Sequence, residues 1–303
     1  MIFTDSKIDT LRTATASGRI TVSPDVLGMV KEKKVPKGDV LEAARTAGIL
    51  AAKKTWEILP YCHPIPLDGI SIGFKLEEGG IRVESTVKAV WKTGVEMEAL
   101  TAVAVALLTI FDMLKGIDPK MEIGGIEVSS KKGGKSDFIE KVPNGFRAAV
   151  VVTSDGVFEG KRKDESGVRI VERLKGLGIR NVERAIVPDD QEVIKRKLLQ
   201  FCEEGVSLIV TTGGTGLGPR DVTVEATEEV IERKIPGLSE AMRSHGRRRN
   251  PRAVLSRGTA GVRGATVLVN LPGSATAAEE SIDAIFPVLF HVYHVLEGGG
   301  HGS

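Results

Sequence analysis

The residues best placed to do chemistry in the first half of this sequence are the charged ones at the two ends of a long apolar segment, residues 94–115. Asp112 and Lys115 are three positions apart near its end, so on a helix they would touch and could act as an acid–base pair. An ordinary surface ion pair would have the same spacing. Glu96 and Glu98 lie near its start, where carboxylates also complement a helix dipole. A catalytic and a purely structural interpretation are therefore open at both ends.

This segment, GVEMEALTAVAVALLTIFDMLK, predicts a helix because Ala, Leu and Met favour that conformation. Residues 99–111 carry no charge, which predicts burial on most sides, and this run is shorter than the roughly 20 residues that a membrane span needs. At about 1.5 Å per residue, Glu98 and Asp112 would lie about 21 Å apart along the axis. One small substrate could not easily reach both, so two functional ends would imply a site shared between subunits.

The composition is that of a soluble globular protein, with 41% hydrophobic and 27% charged residues, and 303 residues suffice for two domains. The net charge of +2 does not indicate a general nucleic-acid-binding protein. The two cysteines, Cys62 and Cys202, suggest neither a disulfide framework nor a cysteine metal cluster. No signal sequence or membrane span is visible, so we expect a cytoplasmic protein without a membrane partner.

Residues 1–140 are predicted to form the first domain. Its elements would be a short strand, a helix capped by Asp39, two strands joined by a turn, the central helix and a last strand, near residues 19–22, 38–59, 70–76, 81–89, 94–115 and 121–130. This β-α-β-β-α-β order predicts an α+β, ferredoxin-like domain whose helices cover one face of an antiparallel sheet.

Several basic side chains of this domain would suit a polyphosphate. They are Lys37, His63, Lys115, Lys131 and Lys135. His63 lies in a proline-rich turn and could equally be a hydrogen-bonded structural residue, and the lysine–glycine segment 131–135 could equally be a solvated linker. Cys62 beside His63 is no argument for a metal site, since neighbouring side chains rarely chelate one ion.

The motifs KGDV, CHP, TGVEMEALTA, GGKS and the D-x-x-K that ends the central helix closely resemble the cyclic pyranopterin monophosphate synthase (MoaC) family over about residues 7–138. The resemblance implies an enzyme that converts a cyclised GTP derivative, 3',8-cyclo-7,8-dihydro-GTP, into cyclic pyranopterin monophosphate with release of pyrophosphate. It also implies sites assembled between subunits, and hence a homo-oligomer. No cofactor is firmly implied for this domain.

By motif, the resemblance assigns Asp112 as the catalytic acid/base and Lys37 and Lys115 as essential lysines. It implies substrate-binding positions at Cys62, His63, Met97, Glu98, Lys131 and Lys135. Positive charge suits the departure of pyrophosphate, and Asp112 beside Lys115 suits the proton transfers of the reaction.

A segment that mixes charge with Pro, Asn and Gly, residues 139–147, predicts a linker to a second domain, residues 147–303. Strands and helices then alternate, with strands near 148–153, 182–187, 207–212 and 266–270 and helices near 164–176, 191–204, 222–245 and from about 275. This alternation predicts an α/β three-layer sandwich with a mostly parallel sheet. Ligands of such folds bind at the carboxyl ends of the strands.

Two glycine-rich loops follow strands of this domain, at residues 213–221 and 271–275. Glycines let main-chain amides close on an anion, and a helix N-terminus adds a favourable dipole. Neither loop has the G-x-x-x-x-G-K-[ST] pattern of a Walker loop. Asp189, Asp190 and Asp221 also lie at loop positions, and carboxylates beside phosphates imply Mg²⁺. Asp190 could equally cap the next helix.

The motifs TSDG, VPDD, TTGGTGLGPRDVT, LPGS and Asp164-x-Ser-Gly167 together resemble the MogA/MoaB family of molybdopterin adenylyltransferases over about residues 147–296. The resemblance implies activation of molybdopterin with Mg-ATP, which gives an adenylylated pterin and pyrophosphate. ATP and Mg²⁺ would be the cofactors. Asp189 and Asp221 would be catalytic acidic residues, and Asp221 would also bind the Mg²⁺.

The same resemblance implies two sets of contacts. The substrate would contact Ser154, Asp155, Ser166 and Gly167. The nucleotide or pterin would contact Gly213, Gly214, Thr215, Gly216, Gly218, Pro272, Gly273 and Ser274. The basic run His245–Arg249 could face the terminal phosphates of the pterin or form a solvated loop.

These features predict a fusion of two non-consecutive steps of molybdenum cofactor biosynthesis. Its partners would be small pterin and nucleotide substrates and other enzymes of molybdenum cofactor synthesis, with no nucleic acid. Two alternatives stay open: only the first domain is catalytic while the second binds pterin or scaffolds assembly, or both halves are nucleotide-binding regulators. Product formation by each half separately would distinguish them.

Overall fold

The buried hydrophobic side chains gather in separate cores on either side of residue 137, and they divide the chain into two units, Met1–Asp137 and Phe138–Ser303. The computed structural model describes residue 4, residues 7–134, residues 137 and 138, and residues 140–299. Lys135 of the predicted substrate contacts lies outside the described residues.

The first unit has four strands and four helices among its described residues. In chain order they are β1 Thr10–Thr21, α1 Pro24–Lys31, α2 Val40–Lys53, α3 Thr55–Ile58, β2 Gly69–Glu77, β3 Gly80–Trp91, α4 Glu96–Leu114 and β4 Ile123–Lys132. The strand order is β2-β3-β1-β4, and each neighbouring pair is antiparallel. Helix α2 packs on α4 and β2, and α4 packs on β1, β3 and β4.

Asp39 begins α2 as predicted, because its carboxylate accepts a hydrogen bond from the main-chain amide of Glu42 at 3.2 Å. The single helix predicted over 38–59 is wrong at its end, since α2 stops at Lys53 and the short helix α3 follows. Strand β1 is longer than the predicted strand at 19–22. It pairs with β3 along its whole length, and this long-range pairing has no strong local pattern in the sequence TLRTATASGRIT.

Helix α4 is the centre of the first core. Its fully buried side chains are Ala99, Ala102, Val103, Ala106, Leu107, Ile110 and Leu114. Among the described residues it is the one helix long and apolar enough to cross a membrane by length and composition, but 44% of its apolar window is buried inside the protein. The prediction that α4 is buried on most sides overestimates its burial. Its outer face is exposed, and Leu108 on that face is 58% exposed.

The second unit alternates strands and helices. In chain order they are β5 Arg147–Thr153, α5 Asp155–Phe158, α6 Glu165–Gly176, β6 Asn181–Val187, α7 Gln191–Glu203, β7 Leu208–Thr212, α8 Thr223–Val230, β8 Arg233–Lys234, α9 Pro236–Arg247, a 3₁₀ helix Pro251–Leu255, β9 Ala260–Arg263, β10 Thr266–Leu271, α10 Ala275–Leu289 and α11 His291–Leu296. Strands β8 and β9 were not predicted.

The strand order of this sheet is β6-β5-β7-β10-β9-β8. The first four strands are parallel, and β9 and β8 continue the sheet antiparallel to their neighbours. Val150 and Val152 of β5 belong to the core with α6, α9 and α10, while Ala149 and Val151 belong to the core with α7 and α8. Helices therefore cover both faces of a mixed sheet, which confirms the α/β prediction.

Asp164 and Asp190 cap the starts of two helices of this unit. At the start of α6, the Asp164 carboxylate accepts a hydrogen bond from the main-chain amide of Gly167 at 2.7 Å. At the start of α7, the Asp190 carboxylate accepts a hydrogen bond from the main-chain amide of Val193 at 3.0 Å. Of the two interpretations open for Asp190, the helix cap is the one the structure shows.

Candidate active sites

A carboxylate between two ammonium groups lies at the C-terminal end of α4. Asp112 Oδ1 is 2.7 Å from Lys115 Nζ, and Asp112 Oδ2 is 3.4 Å from Lys37 Nζ. Lys37 Nζ also donates a hydrogen bond to the main-chain carbonyl of Asp112 at 2.7 Å. The three side chains are half-exposed or more, so small anions can reach them.

The electrostatics of this group favour an ionised carboxylate. Hydrogen bonding and charge from Lys115, followed by the charge of Lys37, hold the pKa of Asp112 below its usual range. Asp112 is therefore ionised near neutral pH and holds both lysine ammonium groups beside it. The lysines supply positive charge that can stabilise a leaving phosphate.

A cleft of about 400 Å³ lies at the other end of α4. Its lining residues are Thr4, Lys7, Tyr61, Cys62, His63, Ile65, Thr93, Gly94, Glu96, Met97 and Glu98. The structure thus brings together four predicted substrate-binding residues that come from the proline-rich turn and from the first turn of α4.

Glu98 is the buried acid of this cleft, with only 4% of its surface exposed. Burial raises the pKa of its carboxyl group, and the charge of Glu96 raises it further. Burial also raises the pKa of the Cys62 thiol, and the charge of Glu98 adds to this effect. Both groups therefore favour their neutral, protonated forms more than exposed groups would.

The predicted basic residues of the first unit do not form one set. Lys37 and Lys115 meet at the C-terminal end of α4, whereas Lys131 pairs with Glu96 at 3.5 Å at its N-terminal end. A helix of 19 residues separates these ends. Within one chain, the cleft residues at positions 62, 63, 97 and 98 therefore lie at the opposite end of α4 from Asp112 and do not share a site with it.

The second unit has a cleft of about 880 Å³ where the parallel strands β5, β7 and β10 end. Predicted site residues line it, namely Ser154, Ser166, Asp189, Gly213, Gly214, Asp221, Gly273 and Ser274. Basic side chains that the sequence analysis did not select also line it, namely Arg162, Lys163, Arg169 and Arg220. The cleft thus combines carboxylates, cations and glycine main chain at the position expected for ligands of this fold.

The glycine loop depends on close approach of its main chain. Gly213 and Gly214 have φ angles of +102° and +60°, and a Cβ on Gly213 would lie 2.3 Å from the carbonyl oxygen of Thr153. Asp221 Oδ2 accepts a hydrogen bond from the main-chain amide of Gly218 at 2.7 Å, which closes the C-terminal part of the loop. Glycine is required at Gly213 by both the backbone angle and the space.

Asp189, which lines this cleft, and Asp155, which is hydrogen-bonded to Asp189, differ in their surroundings. Arg220 binds Asp155 Oδ2 at 2.7 Å through Nη2 and at 3.1 Å through Nε, and it lowers the pKa of Asp155. Burial raises the pKa of Asp189, and the charges of Asp155 and Asp221 act in the same direction. Asp189 and Asp221 both line the cleft, where a bound cation would offset their negative charge.

This donor set fits Mg²⁺. Within the described ranges no three His, Cys, Asp or Glu side chains are grouped to hold a metal by themselves. Mg²⁺ commonly uses one or two carboxylates and completes its octahedral shell with phosphate oxygens and water. Asp189 and Asp221 can supply the protein part of such a shell.

Other predicted contacts lie elsewhere. Thr215, Gly216 and Pro272 line a second cleft of about 280 Å³, together with Met242, Arg243 and others. Gly167 has a packing role, since a Cβ there would lie 2.3 Å from Asp164 Oδ2 and 2.5 Å from Val152 Cγ2. From the basic run, Arg249 pairs with Glu280 at 3.6 Å, so it is not a solvated loop residue.

Two arginines near the glycine loop were missed. Arg220 stands inside the quoted motif beside Asp221, so its position next to an acid was the available signal. Arg257 binds the carbonyls of Gly216 and Asp221 from 36 to 41 residues further along the chain, and no local pattern marks it.

The comparisons with known proteins cover both units. The model of the MoaC family matches residues 1–134, and that of a probable molybdopterin binding domain matches residues 149–291. A molybdenum cofactor biosynthesis bifunctional protein of Chlorobaculum tepidum is 42% identical over 97% of this chain and 94% of its own length. One of Synechococcus elongatus is 37% identical over 100% of this chain and 99% of its own length.

Each unit also has shorter relatives. A cyclic pyranopterin monophosphate synthase of Brevibacillus brevis is 51% identical over 45% of this chain and 86% of its own length. A crystal structure of the molybdopterin biosynthesis enzyme MoaB of Thermus thermophilus is 45% identical, with a TM-score of 0.48, over 52% of this chain and 99% of that chain. The full-length matches decide the assignment: the chain belongs to the family of bifunctional molybdenum cofactor biosynthesis proteins.

Proposed function

We propose that the first unit converts 3',8-cyclo-7,8-dihydro-GTP into cyclic pyranopterin monophosphate and pyrophosphate, and that the second unit adenylylates molybdopterin with Mg-ATP. The observation that carries this proposal is that each unit has a separate polar site built from the residues of its own family motifs. The functional domains would be residues 1–140 and 147–303. The strand order β2-β3-β1-β4 with helices α2 and α4 supports a ferredoxin-like assignment for the first.

In the first unit, Asp112 accepts a proton from the substrate, and Lys37 and Lys115 stabilise the charge that develops on the leaving pyrophosphate. The cleft with Cys62, His63, Met97 and Glu98 binds the pterin part of the substrate, with Lys131 near its edge. Because these two groups lie at opposite ends of α4, a complete site takes one group from each of two subunits. A homo-oligomer is therefore part of this proposal.

In the second unit, the main-chain amides of the 213–218 loop and of Gly273 and Ser274 hold phosphate oxygens, while Arg220 and the other basic side chains of the cleft neutralise charge. Asp189 and Asp221 would hold Mg²⁺, which when bound supplies charge stabilisation to phosphoryl oxygens. Ser154 and Ser166 line the same cleft and orient the acceptor. Both reactions use small molecules, so we place the protein in the cytoplasm with other enzymes of this biosynthesis as partners.

The proposal for the first unit is tested by incubating the whole chain with 3',8-cyclo-7,8-dihydro-GTP and measuring pyrophosphate release and the pterin product. Stoichiometric formation of both is expected. Absence of product from a folded, oligomeric chain would contradict the proposal for this unit.

A second candidate function applies to the second unit, which could bind pterin without transferring AMP. The observation that favours it is that residues 149–291 match the model of a probable molybdopterin binding domain. Tight pterin binding combined with no AMP incorporation at saturating Mg-ATP would support this candidate over the adenylyltransferase.

A further inference from the structure

Arg257 holds the glycine loop 213–221 with both its main chain and its side chain. Its main-chain amide donates to the carbonyl of Thr215 at 3.0 Å. Its Nε donates to the carbonyl of Gly216 at 2.6 Å, and its Nη2 donates to that of Asp221 at 2.7 Å. Its remaining amino group pairs with Glu225 in the first turn of α8. One side chain therefore connects the middle and the C-terminal end of the loop to the helix that follows it.

The chemistry of this contact is specific to arginine. A planar guanidinium presents five N–H donors in fixed directions, whereas a lysine ammonium is a compact charge on a flexible stem. In a trans peptide the carbonyl and the next amide point in opposite directions. The bonds to the carbonyls of Thr215 and Gly216 therefore turn the amides of Gly216 and Leu217 away from Arg257.

Arg257 is not among the described residues that line the 280 Å³ and 880 Å³ clefts of this unit, and its side-chain hydrogen bonds go to the loop and to Glu225. We propose that Arg257 is a positioning residue for adenylyl transfer: it fixes the loop so that its amides and the Asp221 carboxylate are pre-arranged for the phosphates of Mg-ATP. This inference rests on the proposed function of the second unit.

The chain contains a matched control at the other end of the sheet. Arg263 also binds a main-chain carbonyl, that of Val230, at 3.2 Å, and it also pairs with an acid, Glu232, at 3.7 Å. Its side chain is 38% exposed and that of Arg257 is 32% exposed. Arg263 lies opposite Thr266, where β10 begins, whereas the large cleft lies where β10 ends.

The experiment compares the whole wild-type chain with Arg257→Met, Arg257→Lys and Arg263→Met. Hydrogen–deuterium exchange of the free proteins is followed in peptides that cover residues 213–223. The rate of AMP incorporation into molybdopterin is measured against Mg²⁺, ATP and molybdopterin, and melting temperatures are measured in parallel.

We expect faster exchange in the loop of both Arg257 variants and a 10–100-fold lower kcat for Arg257→Met, the usual range for groups that position ligands of a metal. The Mg²⁺ concentration for half-maximal rate should rise while the KM for molybdopterin changes little. Arg257→Lys should recover only a small part of the rate, and Arg263→Met should match the wild type.

Unchanged loop exchange in Arg257→Met would overturn the inference. So would faster exchange with an unchanged kcat and Mg²⁺ profile, or an equal loss of transfer in Arg263→Met, which would indicate general destabilisation. A wild-type chain that transfers no AMP would count against the proposed function instead. The loop exchange and the Kd for Mg-ATP would then decide whether Arg257 orders a nucleotide loop.

Discussion

Asp155 and Asp189 each donate their main-chain amide to the other's carboxylate, and both hydrogen bonds are 3.0 Å long. These two hydrogen bonds join the segment after β5 to the segment after β6 and hold Asp155 beside Asp189, which lines the cleft. Arg220 compensates the charge of Asp155, while burial and nearby carboxylates raise the pKa of Asp189. A cation bound in the cleft would therefore favour the ionised form of Asp189.

The first prediction concerns Asp189 and Asp221. Asp221→Asn and Asp189→Asn should each lower AMP transfer at limiting Mg²⁺ by about 10–100-fold, while pterin binding changes little. Asparagine keeps an acceptor oxygen for the amide of Gly218 or Asp155, so the loops should stay folded. Transfer is measured as AMP incorporation into molybdopterin with Mg²⁺ varied, and pterin binding by fluorescence.

Asp190→Asn is the matched control for this charge change, because asparagine also caps helices well and Asp190 is the cap of α7. It should transfer AMP as the wild type does. Undiminished transfer by Asp221→Asn at limiting Mg²⁺ would reject a role for this carboxylate.

The second prediction tests the space around Asp221. A Cβ on Gly216 would lie 2.8 Å from Asp221 Oδ2, so Gly216→Ala should push the carboxylate out of place. Transfer should fall about tenfold or more, in the range for displaced ligand-positioning groups, with little change in melting temperature because only a flexible side chain must move. Gly176→Ala is the control, since a Cβ at the end of α6 meets nothing within 4 Å. Equal activity of the two variants would show that this contact does not matter.

The third prediction concerns the first unit. Asp112→Asn should lower formation of cyclic pyranopterin monophosphate by roughly 10²–10⁴-fold, the usual contribution of a positioned acid or base, and leave the fold intact. Lys37→Ala and Lys115→Ala should be similarly inactive through loss of charge at the leaving group. Product is measured by mass spectrometry, with circular dichroism to verify folding. Near-normal turnover by Asp112→Asn would sink the assignment of this residue.

The fourth prediction follows from the two ends of α4. Glu98→Ala and Asp112→Asn chains are each expected to be inactive, but hybrid oligomers should contain some sites in which one intact group comes from each chain. Mixing them under exchange conditions should restore part of the activity. Native mass spectrometry verifies the exchange. No recovery despite proven exchange would count against a site shared between subunits.

The fifth prediction is a pH dependence of stability. The pKa of Glu98 is raised by burial, so the folded state binds its proton more tightly than the unfolded state does. This contribution is complete below the usual value of 4.5 and is lost as the pH rises through the raised pKa. Glu98→Gln removes the titration, so the free energy of unfolding of the variant relative to the wild type should increase as the pH rises above 4.5.

Both tryptophans of the chain, Trp56 and Trp91, lie in the first unit, so tryptophan fluorescence reports urea unfolding of this unit within the whole protein. Glu127→Gln, on the exposed strand β4, is the control for the change of charge. An advantage of Glu98→Gln that does not vary with pH would contradict the role of burial.

Local signals in the sequence were sufficient for several features. The N-cap of α2 at Asp39, the spacing of Asp112 and Lys115, and the glycine loop at 213–218 each follow from residues close together in the chain. The alternation of buried strands and helices was sufficient for the α/β architecture of the second unit.

Apart from Arg220, which stands inside the glycine-loop motif, the features that sequence reasoning missed depend on contacts far along the chain. Strand β1 is a strand because it lies between β3 and β4. Because Lys37 and Lys131 are both basic, the sequence predicts that they suit the same polyphosphate. The antiparallel pairing of β4 instead places Lys131 beside Glu96, at the other end of α4 from Lys37. Arg257 reaches Gly216 from 41 residues away, which periodicity and spacing cannot show.

The central claim is that one chain carries two independent catalytic sites. It is tested most directly by mass spectrometry of the pterin products when the wild type, Asp112→Asn and Asp221→Asn are each given 3',8-cyclo-7,8-dihydro-GTP or molybdopterin with Mg-ATP. The account predicts both products from the wild type, loss of only cyclic pyranopterin monophosphate in Asp112→Asn, and loss of only adenylylated molybdopterin in Asp221→Asn. A wild-type chain that makes only one product, or a single substitution that abolishes both, would contradict it.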